Sequence, residues 1–340
     1  MQLDRTEIGI RARSALELLD LSLLVLKRHV RPIALSSALL GLPLLLLDVL
    51  AVSWMLGEEA LLAAEHFEYP HSVLRWRHSM HLVLLFVLQF PLISLPTTVF
   101  LGNRIFFAPL SLWGLLRRLW PLAWRCFFVL GVLRLGLLGL LLELQVDRSV
   151  GFDWLTEFWL LWGGTVVALF YRALWPFAPE ILGLELCPLR ARAPGEITYA
   201  ARSRSLHRLL TSDHIARLLG SAFFGSLLFL TLIAAQLFVM GASSGYWQWN
   251  WWFDHVGLPV TMWVVGLFLA VFRFLAYLDS RIRLEGWEVE LRLKAEAARL
   301  AEMATTKIST GTSQPSPAAA TVGATVLDEP AEVQRPSGAT

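Results

Sequence analysis

The sequence predicts an all-α, polytopic membrane protein of about six transmembrane helices with cytoplasmic amphipathic helices, and three observations carry that prediction. Hydrophobic residues make up 56% of the 340-residue chain and charged residues only 16%, with a mean hydropathy of +0.57. That balance belongs to chains solvated by a bilayer rather than to soluble domains. Apolar runs of about 20 residues recur, each able to cross a ~30 Å hydrocarbon core at ~1.5 Å per residue. Lys and Arg gather at alternate ends of these runs, which marks the loops that stay on the cytoplasmic side.

In chain order, residues 1–32 form a first segment. Within it, 5–31 reads as an amphipathic helix, with Ile8, Leu16, Leu19, Leu23 and Leu26 at helical spacing and Arg11, Arg13, Lys27, Arg28 and Arg31 as its basic side. It is expected to lie on the membrane surface. Glu17 and Asp20 interrupt its apolar residues, so no cleavable leader is expected. The membrane domain, 33–278, then holds six spans, at 33–55, 81–101, 122–144, 157–177, 217–240 and 256–278. Pro43, Pro91 and Pro96 lie inside them, so kinks are expected where neighbouring helices satisfy the freed carbonyls. Ser111 can cap a short helix bearing Arg117 and Arg118, and Pro121 opens the third span. Residues 279–304 read as a juxtamembrane charged helix laced by Asp279/Arg283, Arg281/Glu285, Glu288/Arg292 and Glu290/Lys294 pairs at i, i+4. The Thr-, Ser-, Pro- and Ala-rich stretch 305–340 is expected to be a disordered tail.

Basic residues crowd the N-terminus, 103–121, 179–216 and the C-terminal segment, whereas the other loops contain only Arg75, Arg77 and Arg148. Six spans with both termini cytoplasmic satisfy this alternation, in a bacterial inner membrane. A repeat can underlie it: 7–41 and 196–225 share the order of an EI-start, an ARS, a basic patch and an SA-x-x-G, and 111–131 is a shorter version. Chance similarity of leucine-rich helices with basic starts is the plainer account.

With a net charge of +2 and no basic block, nucleic acid is not expected as a partner. Cys126 and Cys187 are too few for a disulfide framework or zinc knuckle and read as free thiols. No phosphate loop, nucleophile elbow or H-E-x-x-H occurs, so no enzymatic activity, catalytic residue, cofactor or metal is expected. Trp247, Trp249, Trp251 and Trp252 read as an interfacial aromatic belt in preference to a sugar or quaternary-ammonium platform. His66, His71, His78 and His81, with Glu65 and Glu68, match no zinc spacing and read as a solvated loop.

The segment Tyr277-Leu278-Asp279-Ser280-Arg281-Ile282-Arg283-Leu284-Glu285-Gly286-Trp287-Glu288-Val289-Glu290 resembles the closing Y-x-D-x-R-x-R-x-E-G-x-[DE]-x-E segment of bacterial multipass proteins related to the membrane domain attached to glycerophosphoryl diester phosphodiesterases. Lys27-Arg28-His29 with Pro32, Pro179-Glu180 and Arg202-Ser203 fit the same group. The resemblance implies a membrane domain over most of 5–295. It carries over no catalytic residue, because the soluble parts are too short for the phosphodiesterase barrel. The physical alternative is a juxtamembrane helix held by ion pairs and anionic lipid.

The third span contains Arg134 at mid-membrane, where an unsheltered charge costs between ~2.5 and more than ~10 kcal/mol. Arg134 lies roughly 18 Å from one end of its span and Asp48 roughly 22 Å from the same side of the first. The expected arrangement is an Asp48–Arg134 pair facing the bundle interior, with Gln89 as a hydrogen-bond partner. The resulting function is a non-enzymatic scaffold or accessory component whose partners are the bilayer and other membrane proteins. The alternatives are a transporter or channel with a polar intramembrane site, and a membrane-embedded enzyme acting on lipid headgroups.

Overall fold

A computed structural model of the chain describes residues 13–57, 71–105, 111–146, 157–191, 193, 195–207, 211–245, 247 and 249–285. Every regular element among them is helical. Four helical runs are long and apolar enough to cross a membrane: Ala15–Leu56, Ser72–Arg104, Ser212–Ser244 and Phe253–Leu284. A fifth results if the bent pair Leu112–Val132 and Gly136–Glu143 is one span, and Trp159–Leu174 is a shorter apolar helix. The chain is thus a helical, multipass membrane protein.

The first helix, α1 (Ala15–Val52), starts at a capping box: the Ser14 hydroxyl accepts from Glu17 N–H at 3.3 Å and Glu17 Oε2 accepts from Ser14 N–H at 3.0 Å. A kink at the non-helical His29 (φ −124°, ψ 28°) divides this run into two helical stretches, close to the expected division at residue 32; Pro32, which lacks an N–H and crowds the carbonyl four residues earlier, accounts for it. The next run is α2 (His71–Ile93) followed by α3 (Leu95–Ile105), interrupted at Ser94 between Pro91 and Pro96. The Ser94 hydroxyl donates to the Phe90 carbonyl at 2.6 Å, and Thr98 N–H resumes the ladder on Ser94 O at 3.0 Å.

The continuous third span expected over 122–144 is broken. Ser111 does cap α4 (Leu112–Leu119), accepting from Gly114 N–H at 3.1 Å. A 3₁₀ turn containing Pro121 leads to α5 (Ala123–Cys126), a π-helical stretch over Phe127–Val132, a left-handed Leu135 (φ 60°), and α6 (Gly136–Glu143). The two halves are bent by 58°. Gly136 permits the break: a Cβ there would stand 2.6 Å from the Leu130 carbonyl.

A second π-helical stretch (Trp159–Gly163) precedes α7 (Gly164–Leu174), then α8 (Ala178–Gly183), α9 (Tyr199–His207) and the long α10 (Thr211–Ser244). A third π-helical stretch, Phe253–Gly257, leads into α11 (Leu258–Glu285). The run 72–104 is central, with 89% of its apolar window buried, whereas that of α10 is 6% buried and presents Leu219, Phe223, Leu227, Leu230 and Phe238 outward. Leu82, Leu85, Phe86 and Ile93 of α2 pack with Val52, Met55, Phe253 and Met262. Phe177, Ile181, Val271, Phe274 and Tyr277 form the core nearer the closing segment.

That segment continues α11 without a break at 279. Asp279 gathers the Arg217 guanidinium, Arg283 Nε at 2.9 Å and the Arg13 N–H at 2.8 Å, while the Tyr277 hydroxyl donates to Glu185 at 2.5 Å. Arg202 Nη2 reaches Glu185 at 2.9 Å and Arg281 Nη1 lies 3.8 Å from it. Of the expected i, i+4 pairs, Asp279/Arg283 forms. The Glu285 side chain, residues 286–304 and the tail 305–340 lie outside the described residues.

Candidate functional site

The expected Asp48–Arg134 pair does not form; the structure sends the two residues to different polar centres. Asp48 Oδ1 accepts from Gln89 Nε2 at 2.5 Å, so that half of the expected arrangement is present, and Asp48 Oδ2 has no partner. Arg134 sits at the break in the third apolar run, where the bend carries it away from α1. Its guanidinium donates to the Trp175 carbonyl and lies 5.3 Å from the Tyr171 ring centroid.

Around Arg134 is a cavity of about 130 Å³, several times the ~30 Å³ share of a liquid water. Four arginines line it: Arg134, Arg172 on α7, Arg217 on α10 and Arg273 on α11. Two have carboxylate partners, Arg273 Nε with Glu180 Oε1 at 2.8 Å and Arg217 with Asp279. Arg273 Nη2 also donates to Ser94 Oγ at 2.8 Å. Arg172 reaches only the Val87 carbonyl at 3.2 Å and the Phe90 ring at 5.1 Å, and neither it nor Arg134 forms an ion pair among the described residues. Arg172, Arg134 and Arg273 lie within electrostatic reach of one another. His214 and Ser221 also line it, and the rest of the wall is apolar, including Phe90, Leu169, Phe177 and Phe272. Glu180, bonded to Arg273, lies within electrostatic reach of Arg134, yet neither Arg134 nor Arg172 is bonded to a carboxylate among the described residues.

Outside the spans, α9 closes this end. His207 donates Nδ1–H to the Ser203 carbonyl at 2.6 Å and accepts the Phe177 N–H at Nε2, 3.4 Å away, which sets a neutral tautomer. Burial, opposed by the Ser203 bond and reinforced by His214 and Arg134, lowers its pKa from 6.5 to about 4. Burial likewise raises the Tyr199 hydroxyl, against the lowering effect of Arg134.

The second centre joins residues that sequence reading places apart. Arg77 forks onto Glu157, with Nε–Oε2 at 2.9 Å and Nη2 on Oε1. His81 Nδ1 lies 2.9 Å from Glu143 Oε2, and its Nε2 lies 3.4 Å from Glu157 Oε2, in ion-pair range but off the hydrogen-bonding direction. Asp48, His81, Gln89 and Glu157 are 0% exposed, Glu143 1% and Arg77 3%. These values correct one expectation: His78 and His81 are buried on α2 rather than in a solvated loop. The remaining loop residues, Glu65, His66 and Glu68, lie outside the described residues, as does the His71 side chain. Among the described residues no group of three His, Cys, Asp or Glu is placed to hold a metal ion. Trp247, Trp251 and Trp252 are exposed, whereas Trp249 packs on Phe253 at 4.4 Å and donates its indole N–H to Asp254.

Sequence reading missed Arg273, although a lone charge inside an apolar run is the same signal that marks Arg134. Arg172 lies inside the expected fourth span, 157–177, and was not singled out either. Comparison of the chain with protein families, with curated proteins and with solved structures gives no match.

Proposed function

We propose that this protein spans a bacterial inner membrane six times with both termini cytoplasmic, and that it binds and moves an anion, in the manner of a transporter, through the arginine-lined cavity. The alternation of Arg-rich and Arg-poor loops supports the topology, with α7 and the residues before it as the fourth pass. Reporter fusions within 60–75 and 242–250 are expected to report the side opposite to fusions within 190–205. The resemblance of 277–290 to the membrane domain of the phosphodiesterase-linked family belongs to the same proposal.

The observation that carries the anion reading is the pair Arg134 and Arg172, two guanidiniums at an apolar cavity without a carboxylate. Buried charges persist in membranes where a partner or pathway requires them. A scaffold has no use for two buried guanidiniums without a bonded carboxylate, and this favours the transporter over the accessory component expected from sequence. In detergent, thermal stability is measured with phosphatidylglycerol, phosphatidylcholine and inorganic phosphate, for the native chain and for Arg134→Gln/Arg172→Gln. Stabilisation by an anion that the double variant loses supports the reading. Equal response to zwitterionic and anionic additives, or an unaltered response in the variant, overturns it.

A further inference from the structure

We propose that the centre formed by Asp48, Gln89, His81, Glu143, Glu157 and Arg77 is an intramembrane proton-binding site that holds one exchangeable proton on a carboxyl group, Asp48 being the resting position. The proposal stands apart from the anion reading and needs nothing from the cavity.

Charge is the first argument. Three buried carboxyl groups, Asp48, Glu143 and Glu157, have one fixed cation near them, Arg77, together with His81, which is a cation only when both ring nitrogens carry a proton. Asp48 and Glu143 interact electrostatically, which links the acids. With every acid ionised the centre carries at least one uncompensated buried negative charge, even with His81 protonated. With His81 charged, one added proton makes it neutral.

Hydrogen-bond accounting is the second argument, and it places that proton. Arg77 and His81 supply donors to Glu157 and to Glu143 Oε2. The oxygens left without a donor are Asp48 Oδ2, Gln89 Oε1 and Glu143 Oε1. A buried acceptor in that state costs much of its desolvation energy. Asp48 Oδ2 and Gln89 Oε1 are the atoms not used by the existing Gln89 Nε2–H to Asp48 Oδ1 bond. A carboxylic acid and a primary amide pair through two bonds, N–H to C=O and O–H to C=O. A proton on Asp48 Oδ2 directed at Gln89 Oε1 completes that pair and satisfies two of the three orphaned oxygens. The third, Glu143 Oε1, is an alternative seat for the same proton.

The charged and titratable groups facing the centre come from every neighbouring element: Asp48 from α1, Arg77 and His78 beside His81 on α2, Glu143 from α6 and Glu157 ahead of α7. Beyond His78 stand His255, with ring centroids 5.8 Å apart, and Asp254 before α11.

The test is infrared spectroscopy of the full chain in lipid, following the carbonyl stretch of protonated carboxyl groups with exchange into D₂O. At neutral pH the native chain is expected to show such a band, shifting in D₂O and vanishing at high pH. Asp48→Asn keeps the two-point amide pairing and is expected to remove it. Loss of the band in Glu143→Gln instead also supports the site, with the proton seated on Glu143. Absence of the band in the native chain at neutral pH overturns the proposal, as does its survival in both variants. Its abolition by sodium chloride at constant pH also overturns it, since that outcome defines a metal-cation site. The native-chain measurement decides the matter even if a variant fails to fold.

Discussion

Arg77 and Glu157, eighty positions apart, are joined by a two-point fork in which both members are almost wholly buried. Such a pair binds α2 to the start of the fourth apolar segment, and its two members depend on each other. Arg77→Leu leaves Glu157 with only His81 nearby, and an uncompensated buried charge costs about 3–5 kcal/mol. The double variant Arg77→Leu/Glu157→Leu keeps the His81–Glu143 contact and is expected to lose less stability than Arg77→Leu alone. Unfolding in detergent checks this; a double variant at the sum of the single losses would disprove the coupling.

His207 makes stability depend on pH in a stated direction. Its folded pKa of about 4 lies below its ordinary 6.5, so the unfolded chain takes up the proton first. The contribution of neutral His207 is complete above pH 6.5 and is lost as pH falls toward 4. The difference is worth at most about 3 kcal/mol. The thermal midpoint of the native chain should therefore fall over this window. His207→Gln, which can still donate to the Ser203 carbonyl, should show a shallower fall. An unchanged slope in the variant would assign the effect to other groups.

Two glycines separate a required position from a neutral one. Ala at Gly136 forces a methyl group against the Leu130 carbonyl at the 58° bend, a clash of the kind that costs about 1–3 kcal/mol. At Gly163 nothing lies within 4 Å of the added carbon and the backbone is helical, so Ala there should gain up to about 1 kcal/mol. Comparing the two variants by thermal unfolding reads the break in the third run directly; equal effects would mean that the bend does not depend on Gly136.

Helical multipass architecture was legible because apolar length and charge alternation are local properties of the chain, as were the Ser111 cap and the Asp279/Arg283 spacing. The break at Leu135 was not, since Gly131, Arg134 and Gly136 are also compatible with an unbroken helix that shelters one arginine. The Asp48–Gln89 contact was expected only as an addition to an Asp48–Arg134 pair. The depth argument failed for that pair, because depth says nothing of which way a bent segment faces. His81, Glu143 and Glu157 come from three distant segments with no common motif, and only tertiary packing brings them together.

Arg172 offers the sharpest separation of stability from function. Its guanidinium has one long bond to the Val87 carbonyl and the face of Phe90, while Arg134 and Arg273 repel it across a cavity with no matching carboxylate. Replacing it by Met retains much of the stem's apolar contact and removes one like charge from a low-dielectric site. The ligand-free variant should be as stable as the native chain or more stable by about 1 kcal/mol, since isolated buried charges are costly and their apolar substitutes are not. Stabilisation by phosphatidylglycerol should fall at least about tenfold in the concentration required, the effect of losing one charged contact of about 1.4 kcal/mol. Sites held for binding commonly show this opposition between stability and activity. If Arg172→Met instead destabilises the ligand-free protein strongly and leaves the lipid response intact, then Arg172 is a packing residue and the cavity is not an anion site.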